Sequence, residues 1–147
     1  LEGNPRVEFE NTYSAEGSIS LTATKKLAGG DLKDGQFTFT LSGDGIETQT
    51  KTNAGQNVTF DQIGYDEKDI GKTYTYKVAE TDQGEAGYTY DDTVYTVTVS
   101  IKDKGDGTLD PQVTYHSSAA EGEVEGIVFN NTYTILWVEH FLAYFQI

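Results

Sequence analysis

Two ionisable residues of this sequence, Lys25 and Glu80, occur where the alternation of side chains along a β-strand predicts an apolar residue. Lys25 continues the face that begins at Ile19, and Glu80 continues the face that begins at Tyr74. Burial shifts a lysine toward its neutral, nucleophilic amine and a carboxyl group toward its protonated form, which can donate a hydrogen bond to an amide oxygen. If the amide of Asn131 lies between the two, the amine can attack the carboxamide carbon, release ammonia and leave an isopeptide crosslink.

Alternation alone leaves two simpler interpretations of Lys25 and Glu80 open. Lysine and glutamate near the rim of a sheet often reach water, and a buried pair can be a plain ion pair. Crosslinking also requires a dry site with fixed geometry, in which intramolecular groups reach effective molarities of about 10⁵ M or more. The strands that hold these residues therefore decide between the interpretations.

Period-two alternation of apolar and polar residues runs along most of the chain, and glycine-rich turn signals separate the alternating segments. A loop or a single helical turn is predicted from Tyr65 to Gly71. The pattern predicts an all-β fold, an antiparallel immunoglobulin-like β-sandwich of about seven to nine short strands. The predicted strands lie at about 18–27, 37–41, 58–60, 74–80, 88–90, 94–101, 108–116 and 126–133.

Acidic residues dominate the charge of the 147-residue chain, because 24 Asp and Glu against 10 Lys and Arg give a formal net charge of −14. This charge repels nucleic acid and anionic membranes, so neither is a predicted partner, and it favours solubility. The chain has no cysteine, which excludes disulfides, thiolate metal sites and a cysteine nucleophile. No residue pattern predicts a cofactor or a resident metal.

The pentad Phe9–Tyr13 returns as Phe129–Tyr133, so an F-x-N-x-Y element occurs twice with a domain-sized stretch between the copies. The repeat predicts a tandem array in which each domain ends in such a strand. We therefore expect residues 1–16 to be the closing strand of a preceding domain and a linker, and residues 17–133 to form one β-sandwich domain. Only a few residues separate the first copy from the first strand, so we expect Asn131, and not Asn11, to react with Lys25.

Several linked motifs follow one another in a fixed order along residues 17–133. They are LTATKKL at 21–27, GDL at 30–32, GQFTFTL at 35–41, YTYKVAE at 74–80, YD at 90–91, YTVTV at 95–99 and FNNTY at 129–133. In this order they resemble the streptococcal-type pilin isopeptide linkage domain of Gram-positive pilins and surface adhesins.

The resemblance implies a CnaB-type β-sandwich in which Lys25 is the nucleophile, Asn131 the acceptor and Glu80 the acid that polarises the amide. Lys26 and Asn130 are the competing residues, and strand alternation places both on the opposite face. The resemblance further implies a structural stalk or shaft domain of a pilus or fibrous adhesin, held on the bacterial cell surface through its parent protein. Its partners would be neighbouring domains of the same fibre, and its single-turnover reaction would not make it an enzyme.

Two other functions have weaker support. An adhesin or carbohydrate-binding module would use exposed tyrosines, such as Tyr65, Tyr88 and Tyr90, on a concave platform. A glycoside hydrolase would need two carboxylates about 5–9.5 Å apart across a cleft, for which short loops leave little room. The acidic segment Asp103–Gly107 lacks the ligand spacing of an EF-hand, so it predicts a hairpin turn and not a calcium site.

Residues 134–147 differ from everything before them, because they hold the only Trp and few polar residues. A membrane-spanning helix needs roughly 20 residues, so this tail is too short to be one. It is a fused or vector-derived peptide, the start of a following segment, or an element that pairs with a neighbouring chain; we favour the first. Whatever its origin, we expect its exposed apolar surface to drive self-association.

Overall fold

The computed structural model describes residues 12–135, which form β-strands, turns and loops apart from one 3₁₀ turn at Glu67–Asp69. Residues 1–11, which include Asn11 and most of the predicted closing strand of a preceding domain, and residues 136–147 lie outside the described residues, together with the predictions made for them. No helix within residues 12–135 is long and apolar enough to cross a membrane. The strands are β1 (Glu16–Ile19), β2 (Thr22–Ala28), β3 (Thr38–Gly43), β4 (Gln49–Thr52), β5 (Asn57–Thr59), β6 (Ile63–Asp66), β7 (Thr73–Glu80), β8 (Tyr88–Thr89), β9 (Val94–Asp103), β10 (Leu109–Ser117), β11 (Glu123–Val124) and β12 (Val128–Tyr133).

Two sheets face each other across one core. The larger has the strand order β11-β10-β9-β7-β3-β4 and the smaller the order β5-β2-β12-β8, while β1 and β6 pair separately. Phe129 of the smaller sheet packs against Phe39 and Tyr95 of the larger, with ring centroids 5.3 and 5.2 Å apart. The interior between the sheets is therefore continuous and largely aromatic and aliphatic.

Alternation of side chains decides which face of each strand enters this core. In β9, Val97, Val99 and Ile101 are buried, and the residues between them are more exposed. In β2, Ala23 and Lys25 are buried in the same phase. The phase predicted from the sequence for Lys25 is thus the phase of the core, although a break at 20–21 divides the predicted first strand into β1 and β2.

One strand pair departs from the antiparallel pattern. β12 runs parallel to β2, whereas every other ladder between named strands in residues 12–135 is antiparallel. β12 occupies the position between β2 and β8, so the last strand of the domain is inserted beside one of the first. A long crossover through the other sheet makes this parallel pairing possible.

Two glycines allow the chain to pass the end of β12 closely. Gly29 has φ +84°, and a Cβ atom there would lie 2.2 Å from the carbonyl oxygen of Tyr133. Gly87 has φ +92°, and a Cβ atom there would lie 2.7 Å from the Tyr133 ring. Both the backbone conformation and the available space require glycine at these positions, which hold the end of β12 against β2 and β8.

The twelve strands of the described chain exceed the seven to nine predicted, because ladders of two to four residues carry too little alternation to be recognised. The predicted turn between Tyr65 and Gly71 is present as the 3₁₀ turn after β6, capped by Asp66. The predicted hairpin at Asp103–Gly107 joins β9 to β10; Asp103 Oδ1 accepts from the Gly105 N–H at 2.9 Å.

Candidate functional site

Adjacent strands of the smaller sheet bring Lys25 and Asn131 together. In the parallel ladder Lys25 lies opposite Phe129, and Asn131 lies opposite Leu27. Lys25 and Asn131 both point into the core and are 0% and 2% exposed. Glu80, the last residue of β7, enters from the larger sheet. All three residues predicted from the sequence therefore meet inside the sandwich.

One oxygen of Glu80 contacts both other residues. Oε2 lies 2.8 Å from Nζ of Lys25, and it accepts a hydrogen bond of 3.0 Å from Nδ2 of Asn131. The side chains of Lys25 and Glu80 have no exposed area. Water is therefore excluded from the atoms that a crosslinking reaction would involve.

The surroundings of the lysine amine are mostly aromatic. Nζ of Lys25 lies 4.5 Å from the ring centroid of Phe37 and 5.9 Å from that of Phe39. Apart from its ion-pair contact with Glu80, Nζ has no polar partner among the described residues. The ring faces attract a cation, but a buried ammonium normally satisfies its three donors, so the loss of hydration at this position favours the uncharged amine.

Burial shifts both ionisable groups toward their neutral forms. Removal from water lowers the pKa of Lys25, against the opposing effect of the nearby Glu80 and Asp91 carboxylates. Removal from water likewise raises the pKa of Glu80, against the opposing effect of Lys25 and of the hydrogen bonds from Asp91 and Asn131. For this coupled pair the direction is a neutral amine beside a neutral acid.

The amide of Asn131 is held at both of its polar atoms. Its Nδ2 donates to Glu80, as described, and its Oδ1 accepts a hydrogen bond of 2.8 Å from the backbone N–H of Asp91. The sequence predicted that Glu80 would polarise the amide; here Glu80 contacts the amide nitrogen, and the carbonyl oxygen faces Asp91. Asp91 belongs to the YD motif of the resemblance, and the motif implies no role for it, although Asp-x-Thr is a common signal for a side chain that caps its own turn.

The competing residues lie on the other face, as alternation predicted. Lys26 and Asn130 are exposed and lie opposite each other in the β2–β12 ladder. Neither is therefore close to the buried carboxyl group of Glu80.

The tyrosines of the alternative binding function are not a free aromatic platform. The expected exposure of Tyr65 is wrong, because its side chain is buried and its hydroxyl lies 2.6 Å from that of Tyr76. Tyr88 and Tyr90 are partly buried and pack edge-on against Phe37 at 5.9 and 6.0 Å. Between residues 12 and 135, no group of three or more His, Cys, Asp or Glu side chains could hold a metal ion.

Residues 21–134 match the family model described as FctA, Spy0128-like isopeptide containing domain. The chain belongs to this family. The matched range includes Lys25, Glu80 and Asn131, and it confirms the resemblance inferred from the linked motifs. No curated protein matches the sequence.

Two solved pilin structures share the fold of this Spy0128-like domain, and a pilus adhesin is also similar to it. The major pilin T-13 of Streptococcus pyogenes is 19% identical, with a TM-score of 0.51, and the match covers 84% of this chain and 55% of that chain. The major pilin T3.2 of the same species is 15% identical, with a TM-score of 0.50 and the same two coverages. The pilus adhesin SpaC of Lactobacillus rhamnosus GG, in its open conformation, is 16% identical, with a TM-score of 0.47, and the match covers 82% of this chain and 15% of that chain.

The chain therefore spans about half the length of the solved pilins that it matches. The likeness to the two pilins confirms the predicted fold class, an all-β sandwich of the CnaB-like kind.

Proposed function

We propose that this chain is a structural stalk domain of a Gram-positive surface pilus or fibrous adhesin, stabilised by an isopeptide bond that it forms itself between Lys25 and Asn131. The family supports an isopeptide-containing pilin domain in general, and the site supports these residues in particular. The observation that carries the proposal is the shared atom Oε2 of Glu80, which contacts both the Lys25 amine and the Asn131 amide in a fully buried site.

The proposed reaction needs no other reactant. The lone pair of neutral Lys25 Nζ attacks Cγ of Asn131, so that a C–N bond forms and the carbonyl electrons move onto Oδ1. Glu80, which is protonated at the start, supplies its proton to Nδ2 and then accepts one from the attacking nitrogen, since its Oε2 lies beside both atoms. The Cγ–Nδ2 bond then breaks, ammonia leaves, and Glu80 returns to its starting state.

A purely structural ion pair explains the site less well. Buried ion pairs are stabilising when additional hydrogen bonds satisfy the charged groups. Lys25 Nζ has no such bond within the described chain, and removal from water lowers its pKa. An ammonium in this position is destabilised, whereas a neutral amine is both tolerated and reactive.

A bond between β2 and β12 would suit a stalk. It would close a loop of about 106 residues and constrain the unfolded chain, which corresponds to about 4–5 kcal/mol if a disulfide of similar loop size is the guide. Tension applied near the two ends of the domain would pass through a covalent link between adjacent strands. This role implies a location on the bacterial cell surface, neighbouring domains of the same fibre as partners, and no enzymatic action on other molecules.

Intact mass under denaturing conditions tests the proposal. We expect the purified chain to be lighter than its sequence by one ammonia molecule, and a tryptic map to contain the joined peptides of Lys25 and Asn131. The Asn131→Ala variant should have its full calculated mass. An unmodified mass for the unsubstituted chain, with free Lys25 and Asn131 peptides, would overturn the proposal.

A further inference from the structure

The backbone N–H of Asp91 donates hydrogen bonds to both Asn131 and Glu80, the two residues that would react with Lys25. It donates to Oδ1 of Asn131 at 2.8 Å and, in a longer second contact, to Oε1 of Glu80 at 3.2 Å. No other donor to Oδ1 of Asn131 occurs among residues 12–135. This single N–H therefore lies where negative charge develops when an amine adds to the amide carbon.

The carboxylate of Asp91 holds that N–H in place. Its Oδ2 accepts from the backbone N–H of Asn130 at 2.8 Å, which ties the turn to β12 beside the reacting amide. Its Oδ1 accepts from the backbone N–H of Thr93 at 3.0 Å, which fixes the turn that leads into β9. One side chain thus links the strand that carries the acceptor to the turn that carries the donor.

We propose that the Asp91 backbone N–H stabilises the oxyanion on Asn131 Oδ1 during crosslinking, and that the Asp91 carboxylate is the positioning group for this donor. The inference rests on the proposed function and assigns separate roles to Glu80 and Asp91. Glu80 handles the protons on the nitrogen side of the Asn131 amide, and Asp91 handles the charge on its oxygen side. Donors that are already in position when charge develops stabilise a transition state without reorganisation.

A purely electrostatic role for Asp91 and a positioning role predict opposite changes in the crosslinking rate when the carboxylate is removed. The negative charge of Asp91 raises the pKa of Lys25 and so favours the unreactive ammonium. If charge were its only influence, removing it would speed crosslinking. If its carboxylate positions the oxyanion donor, removing it slows crosslinking. The sign of the rate change therefore separates the two roles.

The crosslinking rate is measurable when the experiment starts from unfolded chains and follows them as they fold. The protein is recovered from inclusion bodies in urea, diluted into buffer, and followed by intact mass as ammonia is lost, while circular dichroism reports the folded fraction at each time. We compare Asp91→Ala, which accepts neither hydrogen bond, with Asp91→Asn, whose one oxygen can still accept. Asp92→Asn is the matched control, because Asp92 is adjacent and exposed.

We expect the folded Asp91→Ala chain to crosslink at least about tenfold more slowly, in keeping with the cost of a misplaced reacting group. Asp91→Asn should be intermediate, and Asp92→Asn should match the unsubstituted chain. An Asp91→Ala rate equal to or above that of the unsubstituted chain would overturn the positioning role. Absence of crosslinking in the unsubstituted chain would overturn the proposed function itself, and this inference with it.

A second measurement does not depend on the folding of a variant. The oxygen of Asn131 is retained in the isopeptide bond, so the hydrogen bond from the Asp91 N–H should persist in the product. In the isotope-labelled domain we expect a scalar coupling across this hydrogen bond, between the Asp91 amide nitrogen and Asn131 Cγ. This measurement uses the unsubstituted, crosslinked domain, so it remains available if Asp91→Ala does not fold. Absence of the coupling in that domain would contradict the assignment of the Asp91 N–H as the donor.

Discussion

Asn131 lies one diagonal step from Lys25 on the parallel strands β2 and β12, since Lys25 is opposite Phe129 and Asn131 is opposite Leu27. The two side chains leave the same face of one sheet, so a bond between them joins neighbouring strands without bridging the core. The acid, Glu80, comes from the opposite sheet and is not consumed. Folding of the whole sandwich is therefore needed to assemble the site, which prevents reaction in the unfolded chain.

The first prediction concerns stability. Lys25→Met keeps an apolar side chain of similar length between Phe37 and Phe39 but removes the amine, so we expect no crosslink. The free energy of unfolding, measured by urea denaturation, should fall by about 4–5 kcal/mol because the unfolded chain is no longer constrained. Lys26→Met, on the exposed face of the same strand, should change it by no more than about 0.5 kcal/mol. Equal losses in the two variants would show that the crosslink does not determine stability.

The sequence predicted the members of the site better than their geometry. Alternation placed Lys25 in phase with the core residues, and the resemblance of the FNNTY motif to the closing strand of the family implied Asn131, because both signals are local in the chain. The contribution of Asp91 could not be predicted in this way. Its role depends on a backbone N–H that points at a residue 40 positions away, and side-chain type carries no information about that direction.

In the fold, too, local features such as strand positions were predictable from the sequence, whereas contacts between distant segments were not. The long strands β7 and β9 were predicted within a few residues, since each has enough alternation to reveal its period. The parallel pairing of β2 with β12 was not predicted. A strand's own pattern does not specify which neighbour it pairs with, and that choice depends on the packing of the whole sandwich.

The second prediction assigns proton transfer to Glu80. Glu80→Gln preserves the size of the side chain but cannot exchange a proton with Lys25, so we expect a folded domain that crosslinks at least about 100-fold more slowly. Glu80→Ala should also fold and remain unjoined. Intact mass measures the crosslink and circular dichroism the secondary structure, while a reduced melting temperature would reflect the missing bond. Glu85→Gln, at an exposed position, is the control, and normal crosslinking in Glu80→Gln would remove Glu80 from the mechanism.

The third prediction is the pH dependence of crosslinking. Burial lowers the pKa of Lys25 and raises the pKa of Glu80, and Asp91 is the other charged group near the amine. At pH values between the two pKa values of the coupled pair, Lys25 and Glu80 share one titratable proton. The ion pair and the reactive neutral pair then differ only in the position of that proton, so their ratio does not depend on pH. The rate should thus be flat near neutrality. It should fall in acid, where Lys25 and Glu80 are both protonated, and in alkali, where neither retains a proton.

Initial rates of ammonia loss, measured over the pH range in which the domain remains folded, test this profile. An isolated lysine amine would behave differently, because its neutral fraction rises about tenfold per pH unit below its pKa. A rate that climbs in this way through neutrality would show that Lys25 titrates independently of Glu80. Asp92→Asn is again the control, and its profile should coincide with that of the unsubstituted chain.

The last prediction concerns the duplicated pentad. Tyr13, which ends the first copy, donates a hydrogen bond of 2.5 Å to Asp103, at the far end of β9. The crosslinking site lies near Val94, at the other end of this ten-residue strand, because Val94 pairs with Ala79 beside Glu80. The two ends of β9 are about 30 Å apart at the usual rise per residue of a strand.

Asn11 lies outside the described residues, but only two peptide units connect it to Tyr13, and these span at most about 7 Å. A crosslink between Asn11 and Lys25 of one chain would therefore require Tyr13 to leave Asp103. We expect Asn131→Ala to fold without a crosslink and Asn11 to stay unmodified in both proteins, as judged by a tryptic map. Asn130→Ala, on the exposed face of β12, should crosslink normally. A joined Asn11 and Lys25 peptide in monomeric protein would show that this end of the chain leaves Asp103 and crosses the sandwich, while the same peptide in covalent dimers alone would identify exchange of closing strands between chains.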